Sequence, residues 1–162
     1  MKASSLLFVC LGNICRSPAA EGVMRKRVRE AGLDGRVRIA PAGTIGLHAG
    51  ELPDPRMRAA AARRDCPLES RARAFELADF DRFDLILPMD AKNLRHLRGL
   101  ARGPADLAKL RPFCDYCRHH EETEVPDPYY GGDEGFEQVL DLLEDGCTQL
   151  LVELQTEASR GS

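Results

Sequence analysis

Short apolar runs alternate along the chain with longer segments of helical periodicity. The first run, SLLFVC (Ser5 to Cys10), contains four consecutive large apolar residues, which is typical of a parallel strand buried on both faces. Further strands are predicted at RVRIAPAG (36–43), FDLILPMD (83–90) and AKLRPF (108–113), and helices at 17–32, 54–65, 91–100 and 133–155. The alternation predicts an α/β fold, a single three-layer domain over residues 1–162 with a four-stranded parallel sheet flanked by helices on both faces.

Helix boundaries follow from capping signals. Ser17 is expected to cap the first helix, with Pro18 at its first position and Gly32 closing its end. Asp54 and Asp90 are expected to begin the second and third helices.

Composition changes this picture little. The 162 residues are 43% hydrophobic and 30% charged, a normal globular balance. The net charge of -3 gives no general attraction to nucleic acid or to an anionic membrane, so an anion site has to be local. No segment approaches the roughly 18 apolar residues of a membrane span, and the N-terminal run is too short for a signal peptide. We therefore expect a cytoplasmic protein with reduced thiols.

The loop CLGNICRS (Cys10 to Ser17) carries the most specific chemistry. It lies where the first strand passes into a helix, and ligands of α/β sheets bind at such carboxyl ends. The helix N-terminus offers unpaired N–H groups, Gly12 allows close approach, Asn13 tolerates a left-handed conformation, and Arg16 grips two phosphate oxygens. The loop is predicted to bind a tetrahedral oxyanion, without the sequence of a nucleotide-binding P-loop.

A thiol in this loop suggests catalysis as well as binding. The positive potential that binds a phosphate dianion also favours the thiolate form of Cys10. Attack on phosphorus would give a phosphocysteine, with Arg16 and the backbone amides holding the oxygens and the Ser17 hydroxyl able to stabilise the departing thiolate. A buried structural cysteine is the alternative interpretation of Cys10.

A second segment, EVPDPYYGG (124–132), supplies a candidate acid. Asp127 lies between two prolines that stiffen the loop, and Tyr129 and Tyr130 follow as walls for a flat ring. Together the two segments indicate a phosphatase with a nucleophile and a proton donor.

Over nearly the whole chain, the sequence resembles the low-molecular-weight protein-tyrosine phosphatases. The resemblance rests on VCLGNICRSP and DPYYGG, with further matches at AGT (42–44), PDPRM (53–57), RAR (71–73) and MDAKN (89–93). It implies Cys10 as nucleophile, Arg16 as phosphate ligand, Ser17 as leaving-group stabiliser and Asp127 as general acid. The implied substrate-binding residues are Leu11, Gly12, Asn13, Ile14, Cys15, Leu47, Tyr129 and Tyr130.

The resemblance also sets expectations for ligands and partners. It implies no metal and no cofactor, tyrosine-phosphorylated proteins as substrates, and phosphate as product or inhibitor. We expect a monomer that binds neither nucleic acid nor membrane. A reversible Cys10–Cys15 disulfide that protects the nucleophile is suggested too, the alternative for Cys15 being a small buried residue beneath the loop.

Two departures from the family pattern affect the site. Leu47 replaces an aromatic residue in the loop after Gly-Thr, so one wall of the cleft should be aliphatic. Pro41 and Ser70 occupy positions where relatives often have the Ser and His that bond the loop Asn, and Ser70 is expected to replace part of that support for Asn13.

The remaining cysteines leave further functions open. Cys114 and Cys117, in CDYCRHH, have the spacing of a zinc or redox pair, although surface cysteines are the simpler interpretation. An arsenate reductase would use them to relay reducing equivalents to Cys10. A catalytically idle phosphoprotein-binding module and a phosphoarginine hydrolase are two more candidate functions, and Leu11 after the nucleophile favours an aromatic phosphoester over phosphoarginine. Cys66 and Cys147 are expected to be packing residues, and His48 to contact either substrate or solvent.

Overall fold

Three parallel strands form the centre of the molecule. The computed structural model describes residues 4–129 and 131–160. The strands are β1 (Ser5–Cys10), β2 (Arg38–Gly43) and β3 (Leu85–Pro88), in the order β2-β1-β3. The helices are α1 (Arg16–Glu30), α2 (Pro55–Ala62), α3 (Asp79–Arg82), α4 (Ala91–Leu100), α5 (Pro104–Leu107), a 3-10 helix (Phe113–Tyr116) and α6 (Asp133–Arg160).

Both faces of the sheet are covered. Every residue of β1 is buried, and its side chains alternate between two cores. Leu6 and Phe8 pack with α1, α2 and α6, whereas Leu7 and Val9 pack with α3 and α4. The predicted three-layer α/β arrangement is therefore confirmed.

The predicted fourth strand is wrong. The segment 108–113 makes a single parallel bridge, in which the Ile86 N–H donates to the Lys109 carbonyl (2.9 Å) and the Arg111 N–H donates to the Ile86 carbonyl (3.0 Å). The next donor in this ladder would be the N–H of residue 88, but Pro88 has none. Pro112 then leads into the 3-10 helix, so the sheet has three strands within the described residues.

The capping predictions for α2 and α4 are confirmed. The Asp54 carboxylate accepts from the Arg56 N–H, and the Asp90 carboxylate accepts from the Asn93 N–H, both at 2.8 Å. Cys66 and Cys147 are buried in the core, as predicted. The short helices α3 and α5 have no clear periodicity and were not predicted. None of the helices in the described part of the chain is both long enough and apolar enough to span a membrane.

The parallel register brings three loops to one edge of the sheet. The Thr44 N–H, just after β2, donates to the Cys10 carbonyl (2.9 Å), and the Met89 N–H, just after β3, donates to the Val9 carbonyl (3.0 Å). The loop after β1 thus lies between the loops after its two neighbours. This edge holds the candidate site.

Candidate active site

The loop from Leu11 to Cys15 connects β1 directly to α1. The helix begins at Arg16 with Cys15 as its N-cap residue, and no side chain caps it. The predicted cap, Ser17, lies inside the helix, because its hydroxyl is bonded beneath the loop instead. The first N–H groups of α1 therefore have no capping side chain and are available to an anion.

Asn13 shapes the loop by adopting a left-handed conformation, with φ of 58°. Its side-chain oxygen accepts from the Ser17 hydroxyl (2.7 Å), and its amide donates to the Arg73 carbonyl (3.4 Å). Arg73 is itself held by the fully buried Asp79, at 2.9 Å. The expected support of Asn13 by Ser70 is thus replaced by bonds to Ser17 and to the backbone of residue 73.

Glycine at position 43 permits the close approach of β2 to this loop. A Cβ at Gly43 would lie 2.8 Å from the Leu11 carbonyl oxygen and 3.1 Å from the Gly12 carbonyl carbon. A Cβ at Gly12 would meet the His48 ring at 3.0 Å. Larger residues at either position would displace the loop or its neighbour.

Cys10 and Ser17 are in contact beneath the loop. The Cys10 Sγ lies 3.1 Å from the Ser17 Oγ, and both residues are at least 98% buried. A hydroxyl has one proton, so Ser17 donates to one acceptor at a time: Asn13, the Ala42 carbonyl (3.3 Å) or a Cys10 thiolate. When Cys10 is a thiol, its S–H can donate to Ser17 while Ser17 donates to Asn13.

Arg16 connects the loop to both neighbouring segments. Its side chain is almost fully buried, and one guanidinium nitrogen donates to Asp90 (2.6 Å) and to the Val125 carbonyl (3.1 Å). Desolvation by burial opposes its charge, but the Cys10 sulfur and the bonded Asp90 outweigh this and raise the pKa of Arg16 above its ordinary value. Arg16 is therefore a fixed cation at the bottom of the site.

Asp127 lines the same pocket as Arg16. Its Oδ2 is 3.7 Å from the second terminal nitrogen of Arg16, and its Oδ1 accepts from the Tyr129 N–H (3.1 Å). The Asp127 side chain is 39% exposed, so it can exchange protons with solvent and with a bound molecule.

The pocket has a mixed polar and apolar lining. The buried Cys10, Cys15 and Arg16 line it together with Gly12 and Asp127, and Leu11, Ile14, Ile45, Leu47, His48 and Tyr129 complete the lining. Leu47 is 75% exposed, so it forms an open rim. His48 lies at the pocket, and its Nδ1 is 2.6 Å from a Glu51 carboxylate oxygen.

The structure brings most of the predicted site residues together. Two of them, Asn13 and Ser17, support the loop from below, and Tyr130 lies outside the described residues. Ile45 was missed, although an apolar residue beside Leu47 in the polar loop GTIGLHAG is a usable signal. Asp90 was predicted only as a helix cap, and nothing in the sequence indicates its bond to Arg16.

Arg56 was missed as well, and it joins the two loops of the site. The Asp54 N–H donates to the Ile14 carbonyl (2.7 Å), and the Asp54 carboxylate holds Arg56, which donates to the Tyr129 carbonyl (2.8 Å). The Arg56 guanidinium also lies over the rings of Tyr129 and Phe136, 5.5 and 4.8 Å from their centroids. Burial of the Asp54 carboxyl group favours a higher pKa, but the bonds from Arg56 outweigh burial and lower the pKa of Asp54. Asp54 therefore stays ionised and keeps its ion pair with Arg56.

Cys15 differs from Cys10 in its surroundings. Its side chain is buried, and desolvation together with the negative charges of Asp54 and Cys10 raises the pKa of the Cys15 thiol far above its ordinary value. Cys15 therefore stays protonated. The disulfide with Cys10 stays a prediction.

Comparison with known proteins identifies one family, although a solved structure of a drosophila arginine phosphatase also matches, with a TM-score of 0.85 at 28% identity over 94% of this chain and 97% of that one. The family described as low molecular weight phosphotyrosine protein phosphatase matches residues 5–160. A low molecular weight protein-tyrosine-phosphatase of Streptomyces coelicolor is 47% identical over 89% of each chain, and the human low molecular weight phosphotyrosine protein phosphatase is 41% identical over 91% of this chain and 93% of its own. A crystal structure of an Entamoeba histolytica protein tyrosine phosphatase, with Hepes in its active site, superposes with a TM-score of 0.92 at 42% identity, covering 95% of this chain and 98% of that one.

Proposed function

The chain belongs to the low molecular weight phosphotyrosine protein phosphatases, and on that premise we propose that it hydrolyses phosphotyrosine in proteins through a phosphocysteine on Cys10. The proposal rests on one observation: a buried thiol (Cys10), a buried guanidinium (Arg16) and an accessible carboxyl group (Asp127) line the same pocket.

Binding uses the floor of the pocket. The phosphate dianion is held by the N–H groups at the start of α1 and by the Arg16 nitrogens that are not bonded to Asp90 and the Val125 carbonyl. Asp90 and the Val125 carbonyl fix the plane of the guanidinium, so that it faces the phosphate without reorganisation. Inorganic phosphate uses the same contacts and acts as product and competitive inhibitor.

The first chemical step transfers the phosphoryl group to sulfur. The Cys10 thiolate forms an S–P bond while the bond from phosphorus to the tyrosine oxygen breaks, and Asp127 protonates the departing phenolate. In the second step, water attacks phosphorus and gives its proton to Asp127, while Cys10 leaves as a thiolate. Ser17 then turns its O–H from Asn13 to the sulfur, 3.1 Å away, and stabilises the thiolate.

Pocket depth and wall chemistry favour phosphotyrosine over phosphoserine. Cys10 is 2% exposed and shares the pocket with the apolar side chains of Leu11, Ile45 and Tyr129. A flat aromatic ring can contact these apolar side chains while its phosphate reaches the buried sulfur, and the shorter phosphoserine side chain offers no such contact. We further propose a cytoplasmic monomer, without metal or cofactor.

A substrate panel tests the proposal. Wild-type protein should release phosphate from a phosphotyrosine peptide at least about 100-fold faster, in kcat/KM, than from the same peptide with phosphoserine or phosphoarginine. Arsenate with thiols should give no turnover. Arsenate reduction that is lost in Cys114→Ser or Cys117→Ser would favour a reductase instead, and binding of the phosphopeptide without hydrolysis would favour a binding module.

Leu47 should limit affinity for small aryl phosphates. It is the aliphatic, solvent-exposed rim of the pocket, so Leu47→Trp should add stacking on the substrate ring. Because an aromatic pair contributes ~0.5–1.5 kcal/mol, KM should fall by about 3-fold to 10-fold. Steady-state kinetics with p-nitrophenyl phosphate measures this. Leu107→Trp, at another exposed leucine, is the matched control, and an unchanged KM in Leu47→Trp would show that residue 47 does not contact the ring.

Arg56 is a positioning residue for the wall formed by Tyr129. Its removal deletes one hydrogen bond and one cation–π contact to Tyr129, so Arg56→Ala should raise KM for phosphotyrosine peptides about 5-fold to 10-fold and change kcat less. The control is Arg58→Ala, which removes an arginine from the same helix. The Arg58 side chain donates to the Pro53 carbonyl, just before that helix. Equal KM values for the two variants would contradict the role of Arg56.

A further inference from the structure

Two thiols outside the active site occupy one turn of the 3-10 helix. Cys114 is the second residue of that helix and Cys117 follows its end, with the Cys117 N–H donating to the Cys114 carbonyl (3.1 Å). The interpretation of both residues as surface cysteines is wrong for Cys114, which is buried, whereas Cys117 is partly exposed. Neither residue lines the active-site pocket.

The helix geometry places these thiols side by side. A 3-10 helix has three residues per turn and a rise of about 2.0 Å per residue, so residues three apart lie on the same edge with Cα atoms about 6 Å apart. Disulfides join Cα atoms about 4.4–6.8 Å apart. The expected Cα spacing of Cys114 and Cys117 therefore lies in the range that a disulfide spans.

The turn is anchored on both sides. Phe113 packs edge-to-face on Phe8 of β1, with ring centroids 6.0 Å apart, and lies so close to α6 that a Cβ at Gly146 would be 2.4 Å from its ring. After the turn, the Asp145 carboxylate of α6 accepts the N–H groups of Arg118 and His119, both at 2.9 Å. The relative positions of the two thiols are thus fixed by the fold.

The two thiols are chemically unequal. A hydrogen bond from Cys114 lowers the pKa of the Cys117 thiol, and His120 acts in the same direction. Burial and the negative charge of Asp145 act in the opposite direction but do not outweigh them. The same hydrogen bond and burial raise the pKa of Cys114. His120 is held by Asp145 through its Nδ1, at 2.7 Å. The Cys117 S–H donates to the Leu142 carbonyl (3.6 Å), and Cys117 is the more exposed of the two thiols, as an attacking thiol requires.

A metal site is the competing interpretation of these residues. In the ranges 4–129 and 131–160, however, no three His, Cys, Asp or Glu side chains are grouped closely enough to hold a metal ion. A dithiol is the chemistry that this geometry favours.

We propose that Cys114 and Cys117 form a second reactive site, a dithiol that is oxidised to an intramolecular disulfide by small-molecule disulfides. The Cys117 thiolate attacks one sulfur of the small disulfide, forms a mixed disulfide and releases one thiolate. Cys114 then loses its proton to solvent and attacks the Cys117 sulfur, forming the Cys114–Cys117 bond and releasing the second thiolate. The protein dithiol loses two electrons, and the small disulfide is reduced to two thiols.

The test uses the full chain with Cys10→Ser and Cys15→Ser, so that the active-site thiols contribute nothing. The protein is equilibrated with mixtures of reduced and oxidised glutathione, quenched with acid, alkylated and digested with trypsin. Because Pro112 protects the Arg111 bond, both thiols lie in the peptide 110–118. As the proportion of oxidised glutathione rises, we expect this peptide to convert reversibly to its disulfide form. That form is two hydrogens lighter than the dithiol peptide and carries no alkyl groups. Recovery of two alkylated thiols at every ratio would overturn the proposal.

The order of attack is tested with single substitutions added to the same background. Cys114→Ser should leave glutathione attached to Cys117, whereas Cys117→Ser should leave Cys114 unmodified. Cys66→Ser, at a buried thiol in another part of the core, is the matched control and should form the Cys114–Cys117 disulfide normally.

If Cys114→Ser or Cys117→Ser does not fold, alkylation of the unsubstituted dithiol decides instead: iodoacetamide should label Cys117 at least about 10-fold faster than Cys114. Equal labelling, or glutathione on Cys114, would overturn the assignment of Cys117 as the attacking thiol.

Discussion

Cys10→Ser should reduce hydrolysis of both phosphotyrosine peptides and p-nitrophenyl phosphate by at least about 10⁴-fold, because the serine hydroxyl has no comparable anion at neutral pH. Cys10 lies at the pocket floor in contact with Ser17, and oxygen in place of sulfur fits the same space. The N–H groups at the start of α1 and the Arg16 guanidinium remain. The variant should therefore still bind inorganic phosphate, which isothermal titration calorimetry can measure.

Cys66→Ser provides the matched control, since this thiol is buried in the core and outside the pocket. It should keep phosphatase activity close to that of the wild type. Activity of Cys10→Ser within 10-fold of the wild type would exclude Cys10 as the nucleophile. Loss of phosphate binding together with activity would show that the substitution disrupts the loop.

Removal of the Asp127 carboxyl group should have an effect that depends on the leaving group. Tyrosine departs as a phenolate whose conjugate acid has a pKa of about 10, so it needs a proton, and general-acid catalysis is worth roughly 10²–10⁴-fold. Asp127→Ala should lower kcat/KM for phosphotyrosine, which reports the first chemical step, by about that factor. Its effect on kcat/KM for p-nitrophenyl phosphate should be much smaller, because nitrophenolate departs without protonation.

Asp127→Asn separates the proton from the shape of the loop. The asparagine side-chain oxygen can still accept from the Tyr129 N–H, as the Asp127 Oδ1 does at 3.1 Å, but the residue has no carboxyl proton to transfer. It should show the same dependence on the leaving group as Asp127→Ala. Asp133→Ala, at an exposed carboxylate in the first turn of α6, is the control. Equal losses on the two substrates would contradict the general-acid role.

Local sequence predicted the parts of the site that depend on neighbouring residues. The apolar run of β1, the thiol loop and the start of α1 are contiguous, so the position of Cys10 and Arg16 at the end of the central strand followed from their spacing. The left-handed conformation of Asn13 followed from its residue type. Asp54 and Asp90 likewise cap their helices as their positions indicate.

Contacts between distant residues could not be predicted in this way. Arg16 and Asp90 are separated by 74 positions, and Arg56 and Tyr129 by 73, so neither pair leaves a pattern in the local sequence. The Ser17 hydroxyl was predicted to cap α1 because its residue type suits a cap, but the contacts with Cys10 and Asn13 place it inside the helix. Similarly, the apolar character of 108–113 indicated a strand, and the missing N–H of Pro88 limits it to a single bridge.

Chemical trapping of the phosphorylated enzyme tests the central claim most directly. In Asp127→Asn, hydrolysis of the phosphocysteine lacks its base, whereas its formation from p-nitrophenyl phosphate does not need the lost acid, so the intermediate should accumulate after mixing with p-nitrophenyl phosphate. Rapid quenching, tryptic digestion and mass spectrometry should then find one phosphoryl group on Cys10 in the peptide 3–16, with none when Cys10 is replaced by serine. Release of phosphate without this adduct, or a phosphoryl group on any other residue, would contradict catalysis through a phosphocysteine on Cys10.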